Sequence, residues 1–163
     1  MFPPEQIVCL TEERGARIVG ISGYVVRPPR ARPEKPRVSA FTTADVPKIL
    51  SLKPDLVLTF SDLQADIAAT LIRHGIEVRS FNQRTVPEIL DMVMMLGALT
   101  GATDRARRLA QELATSVAGV REQAARLPRQ PKVYFEEWDD PMISGITWVS
   151  ELVEAAGGID RFC

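Results

Sequence analysis

The chain has 163 residues, of which 45% are hydrophobic and 25% are charged, a composition typical of a globular protein that buries a core. Twenty basic residues nearly balance 21 acidic ones and leave a net charge of −1, which excludes long-range attraction to nucleic acid or acidic lipid as the basis of function. The longest apolar runs are strand-sized, and the N-terminal MFPPEQ lacks the basic and apolar segments of an export signal. The sequence therefore predicts neither a membrane span nor a leader.

Strand-length apolar runs alternate with amphipathic helical stretches in the first part of the chain. The predicted strands are QIVCL, RIVGIS, RVSAF, KPDLVLTF and IEVRSFN. The continuous apolar run at residues 56–60 is typical of a parallel strand that is covered on both faces. A helical stretch separates it from the next strand, so the pattern predicts a βαβ unit with a right-handed crossover. We therefore expect an α/β protein with a parallel-sheet lobe and flanking helices.

Start and stop signals mark the predicted helices. One helix is expected at about residues 45–52, and in the next Ser61 or Asp62 caps the start and Gly75 marks the end. The only histidine, His74, lies at that end, where a cation suits the helix dipole, so capping is favoured over catalysis. The residues expected on the core face of this helix are Leu63, Ile67, Leu71 and Ile72.

The two longest helices are expected further along the chain. Thr85, Pro87 and Glu88 predict a capping box with proline in the first turn. Residues 103–127 form one predicted helix of over about 30 Å, long enough to connect two bodies. The expected apolar stripe of the first of these helices is Ile89, Met92, Val93 and Leu96, with its methionines interpreted as core filling rather than as soft metal ligands.

Three parts are predicted along the chain. They are an N-terminal α/β lobe at residues 1–101, a long connecting helix at 102–128, and the first βα unit of an incomplete C-terminal lobe at 129–163. In the last part KVYFE begins a strand, and TWVSELVEAA forms a helix with Thr147 as its candidate cap and the pair Gly157 and Gly158 as its stop.

Aromatic residues follow most of the predicted strands. In an open α/β sheet ligands bind beyond the carboxyl ends of the strands. The aromatic residues expected there, next to small polar ones, are Tyr24, Phe41, Phe60, Phe81 and Trp138. Aromatic walls with a few polar groups suit a bulky, partly apolar small molecule. Phe60 and Phe81 fit the core equally well, whereas Tyr24 and Trp138 are stronger ligand candidates because glycine and proline flank them.

Signals for catalysis are weak. No nucleophile and base are arranged together, no phosphate-binding glycine motif is present, and Cys9 and Cys163 have no metal-ligand spacing. Four carboxylates surround Trp138 within residues 136–140, and they fit a metal cage, an acid/base pair or the rim of a ligand cleft. The rim is the favoured interpretation, so we expect a protein that is not an enzyme and has no metal site.

The segments SGYVVRPP, KPDLVL and SGITWVSELVEAAGG resemble, in this order, the vitamin B12-binding members of the iron-siderophore/cobalamin substrate-binding protein family of ABC transporters. The resemblance implies the class III periplasmic-binding-protein fold, in which two α/β lobes joined by one stiff helix hold a corrinoid. It implies cobalamin as a ligand and no catalytic cofactor. The residues that it places at the ligand are Tyr24, Phe41, Phe60 and Trp138, with Trp148 as a weaker candidate.

The resemblance also implies docking on the membrane subunits of an importer through one acidic residue in each lobe. The helix in TTADVPKIL offers Asp45, while Pro47 occupies the place of the expected carboxylate. The resembled family has a first helix of about a dozen residues before the RIVGIS strand, where this chain has only residues 14–17. The second lobe stops at Cys163 and lacks roughly a hundred residues, as many as a typical domain contains. Apolar surface left by an incomplete lobe favours self-association, so a homo-oligomer is one expectation.

Three functions remain open at this point. The first is a non-catalytic substrate-binding protein of an ABC-type importer that binds cobalamin or a related corrinoid, with a siderophore as the alternative ligand. The second is a cytoplasmic corrinoid-handling or protein-interaction module, and the third is an enzyme that uses the carboxylates at 136–140. The expected location is periplasmic by resemblance, and cytoplasmic if the chain is complete without a leader.

Overall fold

The computed structural model describes residues 18–161, which form two compact units, residues 18–82 and 83–161. The predicted QIVCL strand, residues 14–17, Cys9 and Cys163 lie outside the described residues. Contacts place the boundary between Asn82 and Gln83, whereas the division at residues 101 and 128 stays a prediction. No helix within residues 18–161 is both long and apolar enough to cross a membrane.

The first unit alternates short strands with helices. Its elements are β1 (Ile21–Ser22), α1 (Ala31–Glu34), β2 (Arg37–Ser39), α2 (Val46–Ser51), β3 (Val57–Phe60), a 3₁₀ turn (Asp62–Gln64), α3 (Ala65–Arg73) and β4 (Val78–Phe81). Strand β1 pairs with β2 and β3 pairs with β4, both in parallel. Elements β3, α3 and β4 form the predicted βαβ motif. The predicted α/β class with parallel strands is therefore confirmed.

Side chains cap α2 and the 3₁₀ turn of this unit through hydrogen bonds to nearby backbone groups. Asp45 caps α2, because its carboxylate accepts the Lys48 N–H at 3.0 Å, and Pro47 lies in the first turn. Ser61 Oγ accepts the Leu63 N–H at 3.2 Å and so begins the 3₁₀ turn, as predicted. Gly75, with φ of +77°, follows the C-terminus of α3, where the left-handed backbone suits glycine.

The predicted core face of α3 is correct at Leu71, which is fully buried, and wrong at Leu63 and Ile72, which are each 59% exposed. Leu63 lies in the 3₁₀ turn, where three residues rather than 3.6 complete one turn, so the apolar phase shifts. Ile72 lies about 100° around the helix from Leu71, and only one of the two faces the core.

The second unit begins with two packed helices. Its elements are α4 (Val86–Thr100), α5 (Thr103–Ala124), β5 (Lys132–Val133), β6 (Glu136–Asp139), β7 (Met142–Ser144), α6 (Thr147–Ala155) and β8 (Ile159–Asp160). The predicted capping box is confirmed, because Thr85 Oγ1 accepts the Glu88 N–H at 3.3 Å and Glu88 Oε2 accepts the Thr85 N–H at 3.1 Å. The predicted apolar stripe of α4 is buried at every position, Met92 included.

The predicted long helix is α5, which has 22 residues and ends three residues before the expected end. Strand β5 pairs in parallel with β8, and β6 pairs with β7 in antiparallel. Thr147 is not the cap of α6, because Ile146 has extended backbone and occupies the N-cap position, which makes Thr147 the first helical residue. Gly157, with φ of +83°, follows the end of α6 as predicted.

Candidate functional site

Hydrogen bonds join the exits of neighbouring strands, where an exit is the stretch directly after the carboxyl end of a strand. After β1, the Gly23 N–H donates to Ser39 O at the end of β2, at 2.8 Å. After β2, the Ala40 N–H donates to Thr43 O at 2.9 Å, and this bond closes a tight turn. Phe41 lies in that turn, which we call the 40–43 turn. Tyr24, which follows Gly23, therefore lies at the same edge as this turn.

The exits of β3 and β4 continue the same edge. Gln64 joins β2 to β3, because its Nε2 donates to Phe41 O at 2.7 Å while its Oε1 accepts the Phe60 N–H at 2.8 Å. The Ser61 N–H donates to Phe81 O at 2.7 Å and so joins β3 to β4. The first unit thus gathers the four strand exits at one edge, with three of the predicted ligand-binding residues on it: Tyr24, Phe41 and Phe60.

Burial divides the aromatic residues at this edge. Tyr24 is 56% exposed, and Phe41 and Phe60 are half-buried. Phe81 is only 6% exposed, with the Arg79 guanidinium 5.4 Å from its ring centroid. Phe81 is therefore a core residue, one of the two interpretations that the sequence left open. Tyr24, Phe41 and Phe60 keep part of their aromatic surface exposed.

Trp138 belongs to the second unit and lies in a hairpin rather than in the predicted loop. It sits on β6, where it pairs with Ile143 of β7, and its ring is 60% exposed. In the predicted strand KVYFE, only Lys132 and Val133 belong to β5. The chain then reverses near Pro141 to form the hairpin. The indole Nε1–H donates to Asp140 O at 2.9 Å, which fixes the orientation of the ring.

The carboxylates around Trp138 are exposed along β6. The Tyr134 hydroxyl donates a hydrogen bond to the Glu136 carboxylate, and this bond raises the pKa of Tyr134 above its ordinary value of 10.0, because ionisation would lose the donor. Across the described residues, no three carboxylate, histidine or cysteine side chains come together in a way that would hold a metal ion. The arrangement is that of a charged, water-facing hairpin that carries an exposed indole.

Trp148 is a half-buried residue in the first turn of α6. Two carboxylates fix this helix within the second unit. Glu151 Oε2 accepts the Val86 N–H at the start of α4 at 2.6 Å, and Asp160 Oδ2 accepts the Ser150 hydroxyl at 2.5 Å. Trp138 and Trp148 therefore belong to one unit, and the three aromatic residues of the strand exits belong to the other.

Gln64 is the residue of this site that sequence reasoning missed. It lies four residues after Phe60, in FSDLQ, within the start of the predicted helix that Ser61 or Asp62 caps. The available signal was a long amide side chain four residues after a predicted strand, within reach of unpaired backbone groups at the strand end. Its distant partner, Phe41 O, is 23 residues away and is not visible in any local pattern.

The chain is similar to curated proteins of known binding activity. It is 26% identical over 174 residues to the "Vitamin B12-binding protein" of Vibrio cholerae serotype O1, an alignment that includes 99% of this chain and 62% of that protein. The chain thus spans less than two thirds of the length of this relative.

Solved structures share the fold. The periplasmic vitamin B12-binding protein of Vibrio cholerae superposes with a TM-score of 0.78 at 23% identity, covering 98% of this chain and 62% of that one. The apo periplasmic heme-binding protein of Roseiflexus sp. RS-1 superposes with a TM-score of 0.81 at 22% identity, covering 96% and 62%.

The family profile described as periplasmic binding protein matches residues 13–162. That range contains both units, every strand exit described above and the hairpin with Trp138. The match extends over nearly the whole chain and agrees with the α/β fold, so this chain belongs to the periplasmic binding protein family.

Proposed function

We propose that this chain is the ligand-binding part of a substrate-binding protein of an ABC-type importer, and that its ligand is cobalamin or a related corrinoid. The observation that carries the proposal is the hydrogen-bonded edge of the first unit, which gathers Tyr24, Phe41 and Phe60 at adjacent strand exits. The Vibrio cholerae relatives, by sequence and by fold, are vitamin B12-binding proteins.

The chemistry of this edge suits a flat, bulky guest. Aromatic faces stack on an apolar macrocycle, and backbone groups of the 40–43 turn orient its polar substituents. The side chains at this edge include no histidine. His74 lies at the C-terminus of α3, and the exit of β3 lies at the opposite end of that helix. Binding without chemical change is the activity that aromatic and amide groups support.

The proposal includes delivery of the ligand to a membrane transporter in the periplasm. Asp45 at the start of α2 is exposed even though its carboxylate accepts the Lys48 N–H. Its position on the first unit makes it available to a cationic group of a membrane subunit. Pro47 beside it carries no charge, so Asp45 is the acidic group that this helix start offers to a partner.

A binding experiment tests the ligand. The purified chain is mixed with cyanocobalamin, and corrin absorbance is followed through gel filtration, with a dissociation constant from equilibrium dialysis. Tyr24→Ala removes an exposed ring from the site, and we expect it to weaken binding about tenfold, equivalent to about 1.4 kcal/mol of lost stacking. Wild-type protein that elutes without corrin absorbance would contradict the proposal.

Ile72→Ala is the matched control. Ile72 is 59% exposed, similar to Tyr24, but it lies in the last turn of α3, at the end of the helix remote from the strand exits. We expect this variant to bind cobalamin as the wild type does. Equal losses in the two variants would point to a nonspecific effect of removing apolar surface. Hemin is titrated in parallel, because a heme-binding protein shares the fold, and tighter hemin binding would replace the corrinoid as ligand.

A further inference from the structure

We infer that Gln64 is a positioning residue that sets the spacing between the two half-buried aromatic exits of the first unit. It acts through Phe41 and Phe60 and does not itself need to touch the ligand. The inference about ligand affinity rests on the proposed function, whereas the inference about spacing rests on the hydrogen bonds alone.

The amide of Gln64 uses both of its ends. Oε1 accepts the Phe60 N–H at 2.8 Å, and Nε2 donates to Phe41 O at 2.7 Å, so one rigid planar group joins two loops. The Phe60 N–H can only donate and the Phe41 carbonyl can only accept, so these partners determine which end of the amide is oxygen. The side chain is part-buried, where such hydrogen bonds compete less with water.

Other residues cannot reproduce this pair of bonds. Glutamate has the same length and keeps an acceptor for Phe60, but it has no donor for the carbonyl of Phe41. Methionine fills a similar volume, but it has no donor and offers only a weak sulfur acceptor. Asparagine is one methylene shorter and does not span the same gap. The site therefore requires the length and the two-sided chemistry of glutamine.

The turn between Phe60 and Gln64 provides a second, independent observation. Ser61 has φ of +62°, an uncommon backbone conformation for a residue with a side chain, and it is only 6% exposed. Its N–H donates to Phe81 O at 2.7 Å, and its Oγ accepts the Leu63 N–H at 3.2 Å. Such backbone persists where surrounding contacts hold it, and the bond from the Phe60 N–H to Gln64 Oε1 spans this turn on its other side.

Amide hydrogen exchange in the ligand-free chain tests whether Gln64 holds the two exits in place. Gln64→Met removes both bonds, so we expect faster exchange at the Phe60 amide and at the Ala40 amide, which closes the 40–43 turn. Gln64→Glu keeps the acceptor, so the Phe60 amide stays protected while the Ala40 amide exchanges faster. Gln123→Met, at an exposed position on α5, is the control and leaves both amides unchanged.

A double-mutant cycle tests the effect on ligand affinity. We expect Gln64→Met to weaken cobalamin binding about tenfold, and the same change to weaken it less in a Phe41→Ala background, where only the effect through Phe60 remains. A residue with a merely structural role would instead lower the unfolding temperature and affect affinity equally in both backgrounds.

The two experiments separate the two claims. Unchanged protection at both amides in Gln64→Met would overturn the inference, whatever the ligand, and so would additive effects on affinity in the cycle. Loss of protection together with no cobalamin binding by the wild type would contradict the proposed function and leave the spacing role of Gln64 confirmed.

Discussion

Glu88 illustrates how one carboxylate serves the start of a helix. Its Oε2 accepts the Arg84 N–H at 2.5 Å and the Thr85 N–H at 3.1 Å. These bonds, the one from Arg84 first, lower the pKa of Glu88 below its ordinary value of 4.5, because they stabilise the ionised form. The pKa is lower in the folded than in the unfolded chain, so the stabilisation is present above the ordinary value and is lost as the pH falls through the folded-state pKa.

Glu88→Gln tests this linkage. Glutamine keeps a hydrogen-bond acceptor but loses the charge, so we expect the variant to be less stable than the wild type at neutral pH. The difference should shrink as the pH falls below 4.5, where the wild-type carboxyl also becomes neutral. Urea unfolding across this pH range measures both free energies. Glu112→Gln, exposed on α5, is the control, and a difference that grows on acidification would contradict the assignment.

Close packing between α4 and α5 depends on one glycine. A Cβ added to Gly97 would overlap the Cβ of Ala106 and come within 3.3 Å of Ala102 O. The two helices are connected by only Gly101 and Ala102, so they have little freedom to separate at this point. Gly119 on α5 differs, because a Cβ there would meet nothing within 4 Å.

Gly97→Ala and Gly119→Ala are therefore expected to have opposite effects. Both substitutions replace glycine by the better helix former, which stabilises an exposed helix by about 1 kcal/mol. We expect that gain at Gly119, and a net loss of about 1–3 kcal/mol at Gly97, where overpacking dominates. Thermal and urea unfolding measure both. Ala106→Gly should relieve the overlap in the Gly97→Ala background, and a stable single variant at Gly97 would show that the helices move apart.

The described chain consists of two compact units, and each carries its own aromatic residues. The first unit carries the hydrogen-bonded strand exits. The second unit carries the hairpin with Trp138 and the helix with Trp148. Ligand that binds the folded chain and not the unfolded one must raise its stability by mass action. The free energy of unfolding, measured with and without cobalamin, therefore reports binding by the molecule as a whole.

Cyanocobalamin at about 100 times its dissociation constant should stabilise the folded chain by about 2.7 kcal/mol. For a protein of this size the unfolding temperature should then rise by roughly 5–10 °C, as followed by circular dichroism. Tyr24→Ala at the same ligand concentration should show a smaller rise. An unfolding temperature independent of ligand concentration would contradict binding to the folded chain.

Features that depend on neighbouring residues were predictable from sequence. The capping box of Thr85 and Glu88, the start at Ser61 and the glycine ends at Gly75 and Gly157 all involve groups within about four residues, so the pattern contains both partners. The α/β class followed in the same way from the alternation of strand and helix periods. The cap at Thr147 failed because the extended backbone of Ile146 moved the helix boundary by one residue.

Features that depend on distant residues were decided by the tertiary structure. Leu71 rather than Ile72 faces the core, Phe81 is buried while Phe60 is half-buried, and Gln64 bonds to a carbonyl 23 residues away. Each outcome depends on which elements pack side by side, and that choice is made by long-range contacts whose partners no short segment contains. The sequence by itself determined most of the helices, the β3–α3–β4 motif and the kind of residue at their ends, whereas only the folded chain decided the hairpin of β6 and β7 and which strand ends lie together.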